Sequence, residues 1–210
     1  MTDALRAGID DIGLAIDASA QRKLLAYAAL LEKWNRTHNL TAIRDRAQMI
    51  THHLLDSLAV LPYLPVDAGL RVADVGSGGG LPGIPLAIAR PDWLVTLIDS
   101  NHKKTAFLNQ AVIELMLPNV EVVTARVEDV VPARPFDVVM SRAYSSLETF
   151  VKQSAGLLSR EGRWVAMKGA IPHDEVAALP RDVAVEATPA VRVPGMDGER
   201  HLVIIKAVHP

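Results

Sequence analysis

Val72-Ala73-Asp74-Val75-Gly76-Ser77-Gly78-Gly79-Gly80 is the stretch that decides the fold. A hydrophobic run that reads as a strand passes through an acid and then turns through four glycines within five positions. A helical pattern follows from about Gly83 to Arg90. A turn this poor in side chains lets backbone approach a ligand, and glycine alone takes positive φ without steric cost. The turn is built to hold something flat and nucleoside-like at the end of a strand.

Two cofactor classes use such a turn. A dinucleotide fold requires G-x-G-x-x-G, and Leu81 stands where its third glycine belongs. The S-adenosylmethionine version is acidic-x-G-x-G-x-G, which Asp74, Gly76, Gly78 and Gly80 satisfy without exception. Asp99 closes the next strand candidate, where an acid accepts hydrogen bonds from ribose hydroxyls. Val127-Glu128 follows the third, where a backbone N–H beside an acid suits an adenine edge.

Outward from the turn, strands are expected over Leu70–Val75, Leu94–Ile98, Val120–Thr124, Phe136–Met140, Arg163–Lys168, Val183–Val193 and His201–Ala207. Helices are expected over Gly83–Arg90, Lys103–Leu117, Leu147–Leu158 and His173–Leu179. This alternation predicts an α/β fold with a seven-stranded, mostly parallel sheet covered on both faces. No helix separates the last two strands, and Pro194-Gly195-Met196-Asp197-Gly198 reads as a hairpin loop, so the sheet ends in an antiparallel pair. The whole is a Rossmann-like, class I methyltransferase pattern. Residues 65–210 form the expected S-adenosylmethionine-binding domain and residues 1–64 an N-terminal helical extension.

In the extension, Ser19 is a candidate N-cap for a helix from Ala20 to about Asn35. A second long helix is expected from Asp45, with Gln48 as capping partner and Pro62 and Pro65 at its end. Between residues 22 and 46, Arg22, Lys23, Lys33, Arg36, Arg44 and Arg46 face only Glu32 and Asp45. That local excess suits phosphate contacts, and Lys33, Arg36, Arg44 and Arg46 are the candidate RNA-binding residues. His53, Asp56 and Ser57 share one side of the second helix, a spacing suited to tying it to the nucleotide domain.

Composition narrows the chemistry. Half of the 210 residues are hydrophobic, enough for a sizeable core, and the net charge of −2 is not that of a free-standing basic nucleic-acid binder. No apolar run reaches the roughly 18 residues that span a bilayer, and the N-terminus lacks a signal layout, so a cytoplasmic, membrane-free protein is expected. There is no cysteine. That removes disulfides, thiolate metal sites and the thiolate route to pyrimidine carbon-5 methylation. No metal is expected. The fourth strand runs into Ser141-Arg142-Ala143-Tyr144 rather than the Asn/Asp-Pro-Pro-aromatic turn that accompanies exocyclic-amine methylation. Lys168, at the end of the fifth strand, is the candidate base for transfer to a hydroxyl. A ring nitrogen with a free lone pair needs only orientation and electrostatics.

These residues resemble the bacterial small-subunit ribosomal RNA guanine-N7 methyltransferases, also called glucose-inhibited division protein B. The signatures are Lys33-Trp34-Asn35 with Asn39-Leu40-Thr41, His53-Leu54-Leu55-Asp56-Ser57-Leu58, and Asp74 through Pro85. Asp99-Ser100, Lys103-Lys104, Arg126-Val127-Glu128, Ser141-Arg142-Ala143 and Lys168-Gly169 complete them, so the likeness spans Leu24 to Lys206. The resemblance implies transfer from S-adenosylmethionine to N7 of one guanine of 16S rRNA, at the position conventionally numbered 527. It implies that Gly76, Leu81, Val127, Glu128 and Arg142 contact the cofactor and that Asp99 holds its ribose, in a family with no accepted general base. Arg142 is the residue expected to matter most for activity, through orientation or electrostatics. The expected partner is 16S rRNA within the small ribosomal subunit or a precursor, met by a monomer. The rivals are a small-molecule O- or N-methyltransferase, a non-catalytic S-adenosylmethionine-binding RNA module and, last, a nicotinamide oxidoreductase.

Overall fold

The computed structural model describes residues 2–208. Seven strands form one sheet: β1 (Arg71–Val75), β2 (Leu94–Asp99), β3 (Val120–Thr124), β4 (Phe136–Arg142), β5 (Leu158–Lys168), β6 (Val183–Ala187) and β7 (His201–Ala207). Their spatial order is β3-β2-β1-β4-β5-β7-β6. The pairs among β1 to β5 are parallel, whereas β7 runs antiparallel to both β5 and β6. The α/β class, the mostly parallel sheet and the terminal hairpin are as the sequence predicts. Nearly every residue of β1 and β2 is buried, because helices cover both faces of a parallel sheet. The order reverses between β1 and β4, and a crevice opens at such a point beyond the C-terminal strand ends.

Helices α1 (Thr2–Ile12) and α2 (Ala18–His38) open the chain. The N-cap of α2 is Asp17, not Ser19: its carboxylate accepts from the Ala20 amide at 2.8 Å, so the helix starts earlier than predicted. Asn39, at φ 49°, ends it in the left-handed conformation. Asp45 does cap the next helix, accepting from the Gln48 amide at 2.8 Å. That helix is not continuous, however. It runs as α3 (Arg46–Met49), a π-helical segment (Ile50–Leu55) and α4 (Asp56–Leu58). Helices α5 (Gly83–Ala89), α6 (His102–Glu114), α7 (Leu147–Ser154) and α8 (His173–Ala177) follow.

Two strand limits differ from expectation by five residues or more, the others by at most two. β5 begins at Leu158, paired with Phe136, rather than at Arg163. β6 ends at Ala187 rather than Val193, since Pro189 has no amide to offer the ladder.

One apolar cluster joins the extension to the sheet. Leu5, Leu24, Leu31, Leu54 and Leu58 pack with Val72, Ile84, Leu97, Phe107 and Leu202. The other face carries a second cluster, in which Leu147, Phe150 and Val151 of α7 cover Val139, Trp164 and Ile205. Among the described residues no helix is long and apolar enough to cross a membrane.

Candidate active site at the crevice between β1 and β4

The glycine turn follows β1. Gly76, Gly78 and Gly80 have φ of 69°, 57° and 87°, so every second residue of the motif sits where a side chain would be strained. The turn is fastened from both ends. The amides of Gly76 and Ser77 donate to the Ile98 carbonyl, and the Ser77 hydroxyl donates to the Asp74 carbonyl at 2.7 Å. The Gly78 amide donates to Asp99 Oδ2 at 2.9 Å, which links the turn to the end of β2. Asp99 Oδ1 accepts from the Asn101 amide, and Lys104 Nζ lies 3.9 Å from Oδ2.

Gly79 plays a different part. It faces the extension: a Cβ there would stand 3.1 Å from Leu31 Cδ1 of α2. The buried Tyr27 hydroxyl, also on α2, donates to the Gly79 carbonyl.

Asp74 lies beneath the turn, fully buried. Its Oδ2 accepts from the Gly83 amide at 2.9 Å, while Oδ1 has no partner. Burial pushes its carboxyl up to about 7; the Gly83 hydrogen bond and the Arg142 charge act against that rise.

A cleft of about 310 Å³ opens beside the turn. Gly76, Asp99, Val127 and Glu128 line it together, as the sequence anticipates. Val127 and Glu128 belong to a 3₁₀ turn, Val127–Asp129, that follows β3. Tyr144 and Gln153 also line it, and the sequence singles out neither. Gly80 and the buried Leu81 support the turn from outside the cleft, where Gly80 packs on Ile84 and Leu108.

Arg142 stands at the end of β4 but reaches toward the extension. Its Nη1 donates to the His52 carbonyl at 3.0 Å and to Asp56 Oδ2 at 3.2 Å. Asp56 Oδ1 accepts from Arg200 Nε at 2.9 Å, so one buried carboxylate holds two arginines. His53 joins through its Nδ1, 3.5 Å from Arg142 Nη1, while its Nε2 lies 2.8 Å from Thr41 Oγ1. Burial first, then the Arg142 charge, lowers its pKa to about 4, and the ring is neutral near pH 7. His53 and Asp56 therefore do tie the second helix to the nucleotide domain.

Lys168 lies two strands away from the turn and pairs with Glu175 at 2.8 Å. On the extension, Arg36 and Arg46 share Glu32 at 3.6 and 3.9 Å. Lys33 and Arg44 are exposed and form no ion pair among the described residues. Nor do the described residues place three or more His, Asp or Glu side chains where they could hold a metal ion.

The family model described as rRNA small subunit methyltransferase G matches residues 20–203. The chain belongs to this family. Relatives named ribosomal RNA small subunit methyltransferase G agree with it along nearly their whole length. The one from Neisseria meningitidis is 56% identical over 203 residues, covering 97% of each chain. The one from Pseudomonas aeruginosa is 54% identical over 204 residues, covering 97% of this chain and 94% of its own. Among solved structures, a SAM-dependent methyltransferase from Aquifex aeolicus aligns with a TM-score of 0.61 and 18% identity, covering 85% of this chain and 98% of that one. At that identity it speaks for the fold alone. The match to methyltransferase G takes in α2, the π-helical segment and the sheet as far as β7. The extension from α2 onward is therefore as much a part of the family as the glycine turn.

Proposed function

We propose that this protein transfers a methyl group from S-adenosylmethionine to N7 of a single guanine in 16S rRNA, at the conventional position 527. The observation that carries the reading is the acidic-glycine turn, with its three left-handed glycines beside a carboxylate-lined cleft, in a chain of the methyltransferase G family. The substrate is proposed to be presented by the small ribosomal subunit or a precursor, to a monomer in the cytoplasm.

The donor set suits the cofactor. The α-ammonium of the methionine head is assigned to Asp74, whose Oδ1 is buried without a partner. A ribose finds the Asp99 carboxylate at the end of β2, and an adenine edge finds the Val127–Glu128 turn. Gly76 and Gly78 keep the intervening backbone bare. When bound, S-adenosylmethionine supplies a sulfonium methyl group. The guanine N7 lone pair would take that methyl group, and the donor would leave as a neutral thioether holding the electron pair of the broken carbon–sulfur bond. No proton moves, so the residues of this chain have only to orient the partners and exclude competitors.

Residues 65–210 are the proposed donor-binding unit and residues 1–64 the proposed RNA-facing extension. Lys33, Arg36, Arg44 and Arg46 are assigned to rRNA phosphates. Arg142 is assigned to orientation: its pairing with Asp56 couples the extension to the end of β4 beside the cleft. Lys168 has a competing partner in Glu175, which favours a bracing role over that of a base.

Tritiated S-adenosylmethionine and small subunits from a strain lacking the enzyme test this reading. Label is expected on one guanine of 16S rRNA, at N7. Label in RNA-free extract instead would point to a small-molecule acceptor.

A further inference from the structure

Tyr144 sits two residues beyond the end of β4, and three features of it stand apart. Ala143, between it and Arg142, has φ +61°. A left-handed alanine is strained, and such strain persists only where surrounding structure imposes it. Across this residue the two neighbours part: Arg142 meets the extension at Asp56, and Tyr144 lines the cleft. The Tyr144 ring also lies over the glycine turn, where a Cβ on Gly76 would be 3.0 Å from Cδ2 and 3.3 Å from Cε2. Finally, the ring is anchored from one side. Its hydroxyl donates to Gln153 Oε1 at 2.6 Å, and it tilts against Phe150 with centroids 5.8 Å apart. It is otherwise half-buried, and it is the one aromatic side chain among the residues lining the cleft.

The chemistry of the acceptor gives that ring a use. On the reading above, the purine is neutral before transfer and cationic after it. A guanidinium or ammonium touching the purine would oppose this change. Like charges in contact repel, and more strongly in a partly desolvated cleft than in water. An aromatic face does the reverse, since its quadrupole attracts a cation. Bases also stack on aromatic side chains irrespective of sequence. The arginine at this strand end is already committed to Asp56, and the aromatic residue is the one turned to the cleft.

We propose that Tyr144 is the platform on which the target guanine stacks. The ring fixes the plane of the base so that N7 points at the methyl carbon. As the N7–carbon bond forms and the carbon–sulfur bond breaks, the positive charge passes from sulfur to a purine lying on the Tyr144 π face. This inference rests on the proposed guanine acceptor.

The test compares Tyr144→Phe, Tyr144→Leu and Tyr144→Met with the wild type, using small subunits from a strain lacking the enzyme. S-adenosylhomocysteine affinity is measured in parallel by calorimetry, which also reports that each variant is folded. Phe is expected to keep turnover within about threefold. Leu and Met are expected to lower kcat by about ten- to a hundredfold, the size of a lost base–aromatic stack, with calorimetric affinity changed less than about threefold. Wild-type turnover by Leu or Met overturns the proposal. So does a parallel loss of S-adenosylhomocysteine affinity in both, which would assign the ring to the donor. A Phe variant as poor as Leu overturns it too, by making the hydroxyl the active part. Failure of the functional reading looks different, because the wild type itself would then leave the guanine unlabelled.

Discussion

Tyr27 on α2 donates its hydroxyl to the carbonyl of Gly79, so the extension holds the glycine turn by a buried hydrogen bond. Tyr27→Phe leaves that carbonyl without its partner, a loss of about 1–3 kcal/mol. Denaturant unfolding should register it. Calorimetry should show weaker S-adenosylhomocysteine binding although residue 27 lies outside the cleft. An unchanged affinity would mean that the turn keeps its shape without α2.

Glycines in the turn and in the helix after it should differ in how they fail. A Cβ on Gly83 would stand 2.8 Å from Asp74 Oδ2 and against Leu97, so Gly83→Ala must displace buried atoms at about 1–3 kcal/mol. At Gly78 a Cβ meets nothing nearer than the Gly76 carbonyl at 3.8 Å, and the cost is the left-handed φ alone, about 1–2 kcal/mol. Thermal melts should rank Gly83→Ala below Gly78→Ala. The reverse order would place the constraint in the backbone rather than the packing.

Donor binding should depend on pH through Asp74. Its pKa of about 7 is raised from 3.8, so the carboxylate ionises as pH rises through neutrality. Affinity for a donor whose α-ammonium meets Asp74 should strengthen between about pH 6 and pH 8, by up to about tenfold per unit below the pKa. Asp74→Asn should flatten that slope in calorimetric titrations. A slope that survives in the variant would exclude Asp74 as its source.

His53 gives stability the opposite acid sensitivity from a buried carboxyl. Its pKa falls from 6.5 to about 4 on folding, so below pH 6.5 the unfolded chain binds the extra proton. The contribution is complete above 6.5 and is lost as pH drops toward 4, a difference of about 3 kcal/mol. His53→Gln should be less acid-sensitive than the wild type in unfolding curves taken across this range. Parallel curves would show that the ring titrates normally.

Removing Asp56 should cost more than removing either arginine it holds. Asp56→Asn strips both Arg142 and Arg200 of their carboxylate partner, an effect of about 3–5 kcal/mol. Arg142→Ala or Arg200→Ala leaves one ion pair in place. A double-mutant cycle over Asp56 and Arg142 reads the coupling directly. Equal losses from all three single variants would contradict the shared-partner geometry.

The parallel core was legible because its strands are apolar on both faces and punctuated by glycine, proline or an acid. Asp74, Gly76 and Asp99 could be placed because each is needed where a strand meets a turn. The π-helical segment was not legible: widening a helix by one residue barely disturbs an apolar stripe such as Ile50, Leu54 and Leu58. Asp17 and Ser19 are both competent caps, and only geometry chooses between them. The retreat of β6 to Ala187 did leave a sign, in Pro189. Tyr144 left none, because its place depends on a left-handed Ala143 that no residue type announces. The direction of Arg142 was hidden for a related reason, since its partner Asp56 is 86 residues away in sequence.

The cluster that buries Leu24, Leu31 and Leu54 also contains Leu202 and Ile204 of β7. Synthesis starts with these helices, so they leave the ribosome before α5 and α6, against which α2 packs. The nascent polypeptide carries uncovered leucines until those helices emerge, in the company of the very particles whose RNA the finished protein is proposed to modify.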